Sequence, residues 1–288
     1  MRRPGGRPQK ACPSKSRKCP TITTKASAGW RAENDRNGAP MKPHTGLRIV
    51  LILASMLLWW NLSWAQTHRA EREYTAQNLA TLLNVGRLVI ERNQTLINDP
   101  QKGDKGFTPE VFEHQVVEEF LRQTTIDLNR LPSDLPSLAK TQLPLLLQSS
   151  KEVVADAQFV INQRGIGYKN FIPATFGSQA ARKFSNRSHV KIKQTALNPR
   201  NLKNAPDGYE EQVLNRLAAQ PVSHAPVTEW IDDGKLLRTM TPIYYSQDCL
   251  VCHGAPKGML DISGYLREGA REGDLAGAIS IQIPLNNP

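Results

Sequence analysis

Residues 97–128 align without a gap on residues 161–192, at an offset of 64, and nine of the 32 positions are identical. Ile97, Asn98, Gly103, Lys105, Phe107, Pro109, Phe112, Gln115 and Phe120 recur as Ile161, Asn162, Gly167, Lys169, Phe171, Pro173, Phe176, Gln179 and Phe184. The order of these residues is that of a helix–loop–helix unit. A helix ends, a Gly-containing loop turns the chain, and Pro starts a second helix with Phe on its inner face. Two copies do not make a solenoid, so the repeat predicts one duplicated unit whose Phe rings serve core packing.

Around the repeat the chain reads first as helix and then as sheet. From residue 67 to about 98, Leu79, Leu82, Leu83, Val85, Leu88, Val89 and Ile90 recur at helical spacing, with no Pro and a single glycine, Gly86. A second helix is predicted over 109–123. After Phe184 the pattern changes to the alternation of a half-buried strand at 190–195. An Asn- and Pro-rich loop over 197–208 precedes a short helix at 209–219. Strands at 227–231 and 235–245 meet at Asp232-Asp233-Gly234, a hairpin signal. A Gly-rich loop, 264–273, leads to a last strand at 275–285. The expected class is α+β: N-terminal helices followed by an antiparallel sheet with flanking helices.

The chemistry sits between the last two strands. Of four cysteines, Cys12 and Cys19 lie in a basic leader and are given no role. Cys249 and Cys252 are two residues apart, and His253 follows directly. This is the spacing of covalent c-type haem attachment. Each thiol adds to one haem vinyl group, and the adjacent neutral imidazole is held beneath the iron, its ring oriented by a second acceptor. A disulfide with His253 adjacent by accident, a thioredoxin-type redox pair and half of a zinc site are the alternatives. Zinc needs two more Cys or His at short spacing, and none lies nearby. A thioredoxin motif belongs at a helix start in a βαβ unit, which this region does not resemble. One covalently attached haem c, with His253 as proximal iron ligand, is the expectation. Met240 and Met259 flank the motif as candidates for the sixth position. His224, His68, His114 and His189 are further ones, and an open or water-bound iron is the alternative. Arg238, Arg200 and Lys193 are candidates to bind haem propionates, because cations pair with carboxylates, guanidinium bidentately.

The net charge of +11 first suggests nucleic acid. Its distribution excludes that reading. Residues 1–48 hold 12 Lys and Arg against two acidic residues, whereas the remaining chain carries 25 basic and 24 acidic residues. A body near neutrality is not expected to attract polyphosphate. The basic stretch runs into the apolar Ile-Val-Leu-Ile-Leu-Ala-Ser-Met-Leu-Leu-Trp-Trp of residues 49–60, with Ser63 and Ala65 placed for cleavage before Gln66. That is the layout of a secretory signal over 41–65, and it predicts a periplasmic protein. The alternative is an uncleaved inner-membrane anchor over 47–65 with a periplasmic domain. Residues 1–40, rich in Arg, Lys, Pro, Ser and Gly, read as a disordered leader, with Met41 as the expected start of translation. The expected domains are then a helical region over 66–150 and a haem domain over 151–288.

Several ordered motifs resemble a known family, the extracytoplasmic c-type haem-binding PAS-like domains described as a domain of unknown function. They are Lys169-Asn170-Phe171-Ile172-Pro173-Ala174, Asn198-Pro199-Arg200-Asn201, Asn204-Ala205-Pro206-Asp207-Gly208-Tyr209-Glu210, Leu237-Arg238-Thr239-Met240, Cys249 to His253, and Glu272-Gly273-Asp274-Leu275-Ala276-Gly277-Ala278-Ile279-Ser280. The resemblance covers roughly residues 79–285. It implies one haem held against a PAS-like sheet, with the motif histidine as proximal ligand. Some members supply a distal Cys from the helix that here begins near Pro173, and this chain has no Cys between Cys19 and Cys249. Signalling members also carry a second membrane span and an output domain, which the sequence does not show. The expected role is a redox or small-gas sensor module read by a separate signalling protein; the alternative is a single-haem electron carrier with a redox partner. No acid–base constellation points to an enzyme.

Overall fold

The computed structural model describes residues 45–285, with side chains from Gln66 onward. The leader at 1–40, with Cys12 and Cys19, lies outside the described residues, as do Met41 and the side chains at 45–65 that bear on cleavage or anchoring. Among the described residues no helix is long and apolar enough to cross a membrane.

Helix α1 (Thr45–Arg92) is followed by a single turn, α2 (Gln94–Ile97), and by α3 (Pro109–Thr124). Helix α4 (Ser137–Asp156), the turn α5 (Gln158–Ile161) and α6 (Pro173–Ser185) repeat that plan. Both second helices begin at Pro, and Thr108 caps α3 by accepting the Val111 N–H. The duplication read from the sequence is thus a duplication in space. It also reaches one turn further back than the aligned window, to Gln94 and Gln158. Gln94 donates through Nε2 to the Phe171 carbonyl at 2.9 Å, and Gln158 to the Phe107 carbonyl at 3.1 Å. Phe112 and Phe176 meet near the centre, ring centroids 5.2 Å apart. Gly86 of α1 permits this contact, since a Cβ there would stand 2.8 Å from the Phe176 ring.

A four-stranded antiparallel sheet follows: β1 (Lys191–Thr195), β2 (Val227–Ile231), β3 (Leu236–Tyr244) and β4 (Leu275–Pro284), in the order β1-β4-β3-β2. Asp232, Asp233 and Gly234 take φ of 53, 55 and 78°, the left-handed backbone that tight hairpins use. Alternation along the strands gives the sheet two faces. Leu237, Ile279, Ile281, Ile283 and Ile192 join the helices in one continuous core that begins at Ala76. On the other face Met240 and Ala278 pack under α7 (Gly208–Ala218), against Val213, Leu214 and Leu217. The expected boundary at 150/151 falls inside α4, and both repeat copies contribute to the same core.

Candidate functional site

The motif is built on the end of β3. The Tyr245 N–H donates to the Asp274 carbonyl and the Gly273 N–H to the Tyr245 carbonyl, both at 3.0 Å, so the 246–272 loop leaves and returns at one point of the sheet. Ser246 then donates to Glu91 of α1 at 2.8 Å and lies 3.2 Å from the Cys249 sulfur. A 3-10 turn (Gln247–Cys249) runs into the single turn α8 (Leu250–His253). Gly254 closes it by donating to the Leu250 carbonyl, and a Cβ at Gly254 would stand 2.6 Å from that oxygen. Any larger residue would displace the turn that carries both sulfurs and the imidazole. Cys249 and Cys252 are free, partly exposed thiols. Burial and the nearby Asp261 push the Cys252 thiol above its ordinary value.

The rest of the loop folds back over the motif. Ala270 donates to the His253 carbonyl at 2.9 Å, and Arg267 donates through Nη1 to the Ala255 carbonyl at 3.0 Å. Asp261 organises the tip. Its Oδ1 accepts from Ser263 N, Ser263 Oγ and Tyr265 N, while its Oδ2 accepts from Arg200 at 2.6 Å. Burial opposes ionisation of Asp261, but these donors outweigh it and hold the carboxyl well below the usual range.

His253 Nδ1 donates to Glu268 Oε2 at 2.8 Å, with the Tyr245 hydroxyl 3.5 Å away and the two rings 4.9 Å apart. Its Nε2 makes no hydrogen bond among the described residues. Arg200 grips Glu268 at two points, Nε to Oε1 at 2.7 Å and Nη2 to Oε2 at 2.9 Å, and donates to the Cys252 carbonyl at 3.0 Å. Burial raises the Glu268 carboxyl, yet Arg200 and His253 outweigh it and leave the group below its ordinary value. Burial pushes the Tyr245 hydroxyl up to about 12, with Glu268 adding to it.

The structure therefore brings together Cys249, Cys252, His253 and Arg200. Arg238 and Lys193 find their partners at the start of α7, and the Nε of Arg238 is buried without one. Asp207 and Glu210 form a capping box at the start of α7, Arg238 donates to Asp207 at 2.8 Å and stacks 4.5 Å from the Tyr209 ring, and Lys193 pairs with Glu210 at 2.6 Å. Met240 is fully buried under α7, and Met259 is 56% exposed on the loop. His224 packs edge-on against Tyr244 and His68 pairs with Glu71, while His114 sits in α3 and His189 between α6 and β1.

Glu268, Asp261, Tyr245 and Arg87 are site residues that sequence reasoning missed. Burial lowers the Arg87 guanidinium from its ordinary value while Cys249 and Glu91 partly offset this, and its buried Nε has no partner. A carboxylate fifteen residues beyond a histidine carries no sequence signal; the Gly-rich loop that joins them was the only hint.

A profile described as Tll0287-like matches residues 62–284. Among solved structures, the crystal structure of the cyanobacterial heme-protein Tll0287 matches at 20% identity, covering 53% of this chain and 98% of that one, with a TM-score of 0.37. A search of curated proteins found no match.

Proposed function

The chain belongs to the Tll0287-like family, and from that premise we propose that it is an extracytoplasmic single-haem protein of the c type. The observation that carries the reading is the state of His253. Its Nδ1 is occupied by Glu268 at 2.8 Å, leaving Nε2, the outer nitrogen, as the lone pair on offer beside two free thiols. That is how a histidine is prepared for iron. Cys249 and Cys252 would hold the haem through thioethers, and His253 would ligate it from below.

Three features support the fit. Val251, Met259, Leu260, Ile262 and Leu266 are exposed apolar side chains in the motif and its loop, a surface that a flat apolar group would cover. Arg87 offers a buried, unpartnered Nε close enough to Cys249 to sense its charge, which suits an anionic substituent such as a propionate. Arg200 keeps one donor beyond those spent on Glu268, Asp261 and the Cys252 carbonyl. The family also shares its name with a cyanobacterial heme-protein.

Bound haem supplies an iron whose axial ligands set its potential over a range of ~0.8 V and govern the access of small gases. The residues of this chain hold the ring, fix the imidazole and exclude water from its Nδ1 side. We assign the role of a redox or small-gas sensor module, read by a separate signalling protein. An electron carrier is the second reading, favoured by the 65% exposure of Val251 within the motif, which would leave a haem edge open to a redox partner. Absorption spectra of purified protein, oxidised, reduced and under CO, separate them. CO binding or a ligand change on reduction supports the sensor; a six-coordinate haem indifferent to CO in both states supports the carrier. Protein without porphyrin would refute both.

A further inference from the structure

We infer that Glu268, fixed by Arg200, is a positioning residue that strengthens His253 as an iron ligand and so lowers the midpoint potential of the site. The inference rests on the haem reading above and goes beyond it, because it assigns regulation of the potential to a loop carboxylate and its clamp.

The acceptor of a ligating histidine's second N–H sets how much electron density the ring can donate. A neutral carbonyl does this weakly. A carboxylate, charged and 2.8 Å away, draws the Nδ1 proton towards itself and makes Nε2 more basic. For that to operate, the carboxylate must stay ionised and must not turn away. Arg200 secures both by binding the two oxygens of Glu268 as a fork. Arg200 is itself anchored to Asp261, whose side chain is fully buried, and to the carbonyl of Cys252. Cys252 is the residue before His253, so acceptor and imidazole are referenced to the same turn of backbone. The Tyr245 ring, 4.9 Å from that of His253, restrains rotation from the other side. A more basic ligand favours the higher charge on iron, so the oxidised state gains relative to the reduced one.

The test is potentiometry of the haem-loaded protein and of two variants. Glu268→Gln removes the charge and keeps an acceptor of the same length. Glu268→Asp keeps the charge and withdraws it by one methylene from Nδ1. Both are expected to raise the midpoint by at least a tenfold change in the oxidised-to-reduced ratio, about 59 mV for one electron. Glu272→Gln, an exposed carboxylate of the same loop, is expected to leave it in place. A Glu268→Asp midpoint equal to that of the parent would reduce Glu268 to a general electrostatic effect and overturn the inference, as would an unchanged Glu268→Gln. If the parent protein carries no porphyrin, the haem reading falls and this inference falls with it. A porphyrin-bearing parent with unmoved variants refutes the inference alone.

Discussion

The side-chain oxygen of Asn98 accepts the backbone N–H of Lys169 at 3.0 Å, and Asn162 does the same for Lys105 at the same distance. Each repeat copy thus closes the loop of the other. The two lysines are buried, and each directs its ammonium at carbonyls of its own loop: Asp99 and Lys102 for Lys105, Gln163 and Ile166 for Lys169. Removing either asparagine side chain leaves a buried N–H without a partner, which costs about 1–3 kcal/mol. Asn98→Ala and Asn162→Ala are therefore expected to destabilise the fold by similar amounts. Urea midpoints should fall for both with the slope preserved; a loss confined to one variant would contradict the symmetry.

Phe112 and Phe176 touch across the same pseudo-symmetric centre and are both fully buried. Truncating either to Ala is expected to cost about 3–5 kcal/mol. Because the rings contact each other, the double variant should lose less than the two single losses combined, with a coupling of roughly 0.5–1.5 kcal/mol. A double-mutant cycle in denaturant checks this. Strict additivity would mean that the rings stabilise independently.

Glu119 predicts the acid limb of stability. The hydrogen bond from Arg122 is the largest cause that takes its carboxyl from the ordinary 4.5 down to about 2, against burial and with help from Gln123 and Arg92. A depressed carboxylate contributes stability above its unfolded value and loses it as the pH falls through its folded one. The stabilisation from Glu119 is therefore complete above about pH 4.5 and is lost between there and about pH 2. Relative to the parent, Glu119→Gln should be less stable at neutral pH and flatter across that window in thermal melts.

Met240 tests the sixth position. It is fully buried among Val213, Leu214, Leu217 and Ala278, as a packing residue is. Met240→Leu conserves volume and is expected to cost less than about 1.5 kcal/mol, with no change in the haem absorption spectrum. A spectral change would instead make its sulfur an iron ligand.

Much of this was legible before any coordinates. Asp232-Asp233-Gly234 announced a hairpin because few residues accept left-handed backbone. Cys249, Cys252 and His253 stood out as a candidate site because their spacing is local. The nine-residue identity announced the helical duplication. What escaped was one helix, α4, and everything that depends on distant segments meeting. Helix α4 carries Pro144 inside it, which removes an internal hydrogen bond and masks the helical signal. Arg238 and Arg200 look alike in sequence, yet one meets the α7 cap and the other the motif loop. Glu268 reaches His253 only because a Gly-rich loop without period turns back on itself. Long-range ion pairs of this kind leave no periodic trace.

The most direct test of the central claim is the mass of the peptide spanning Cys249–His253, taken from protein exported alongside c-type cytochrome maturation machinery. The account predicts a coloured peptide bearing one porphyrin through both cysteines. A colourless peptide with Cys249 bonded to Cys252 would contradict it.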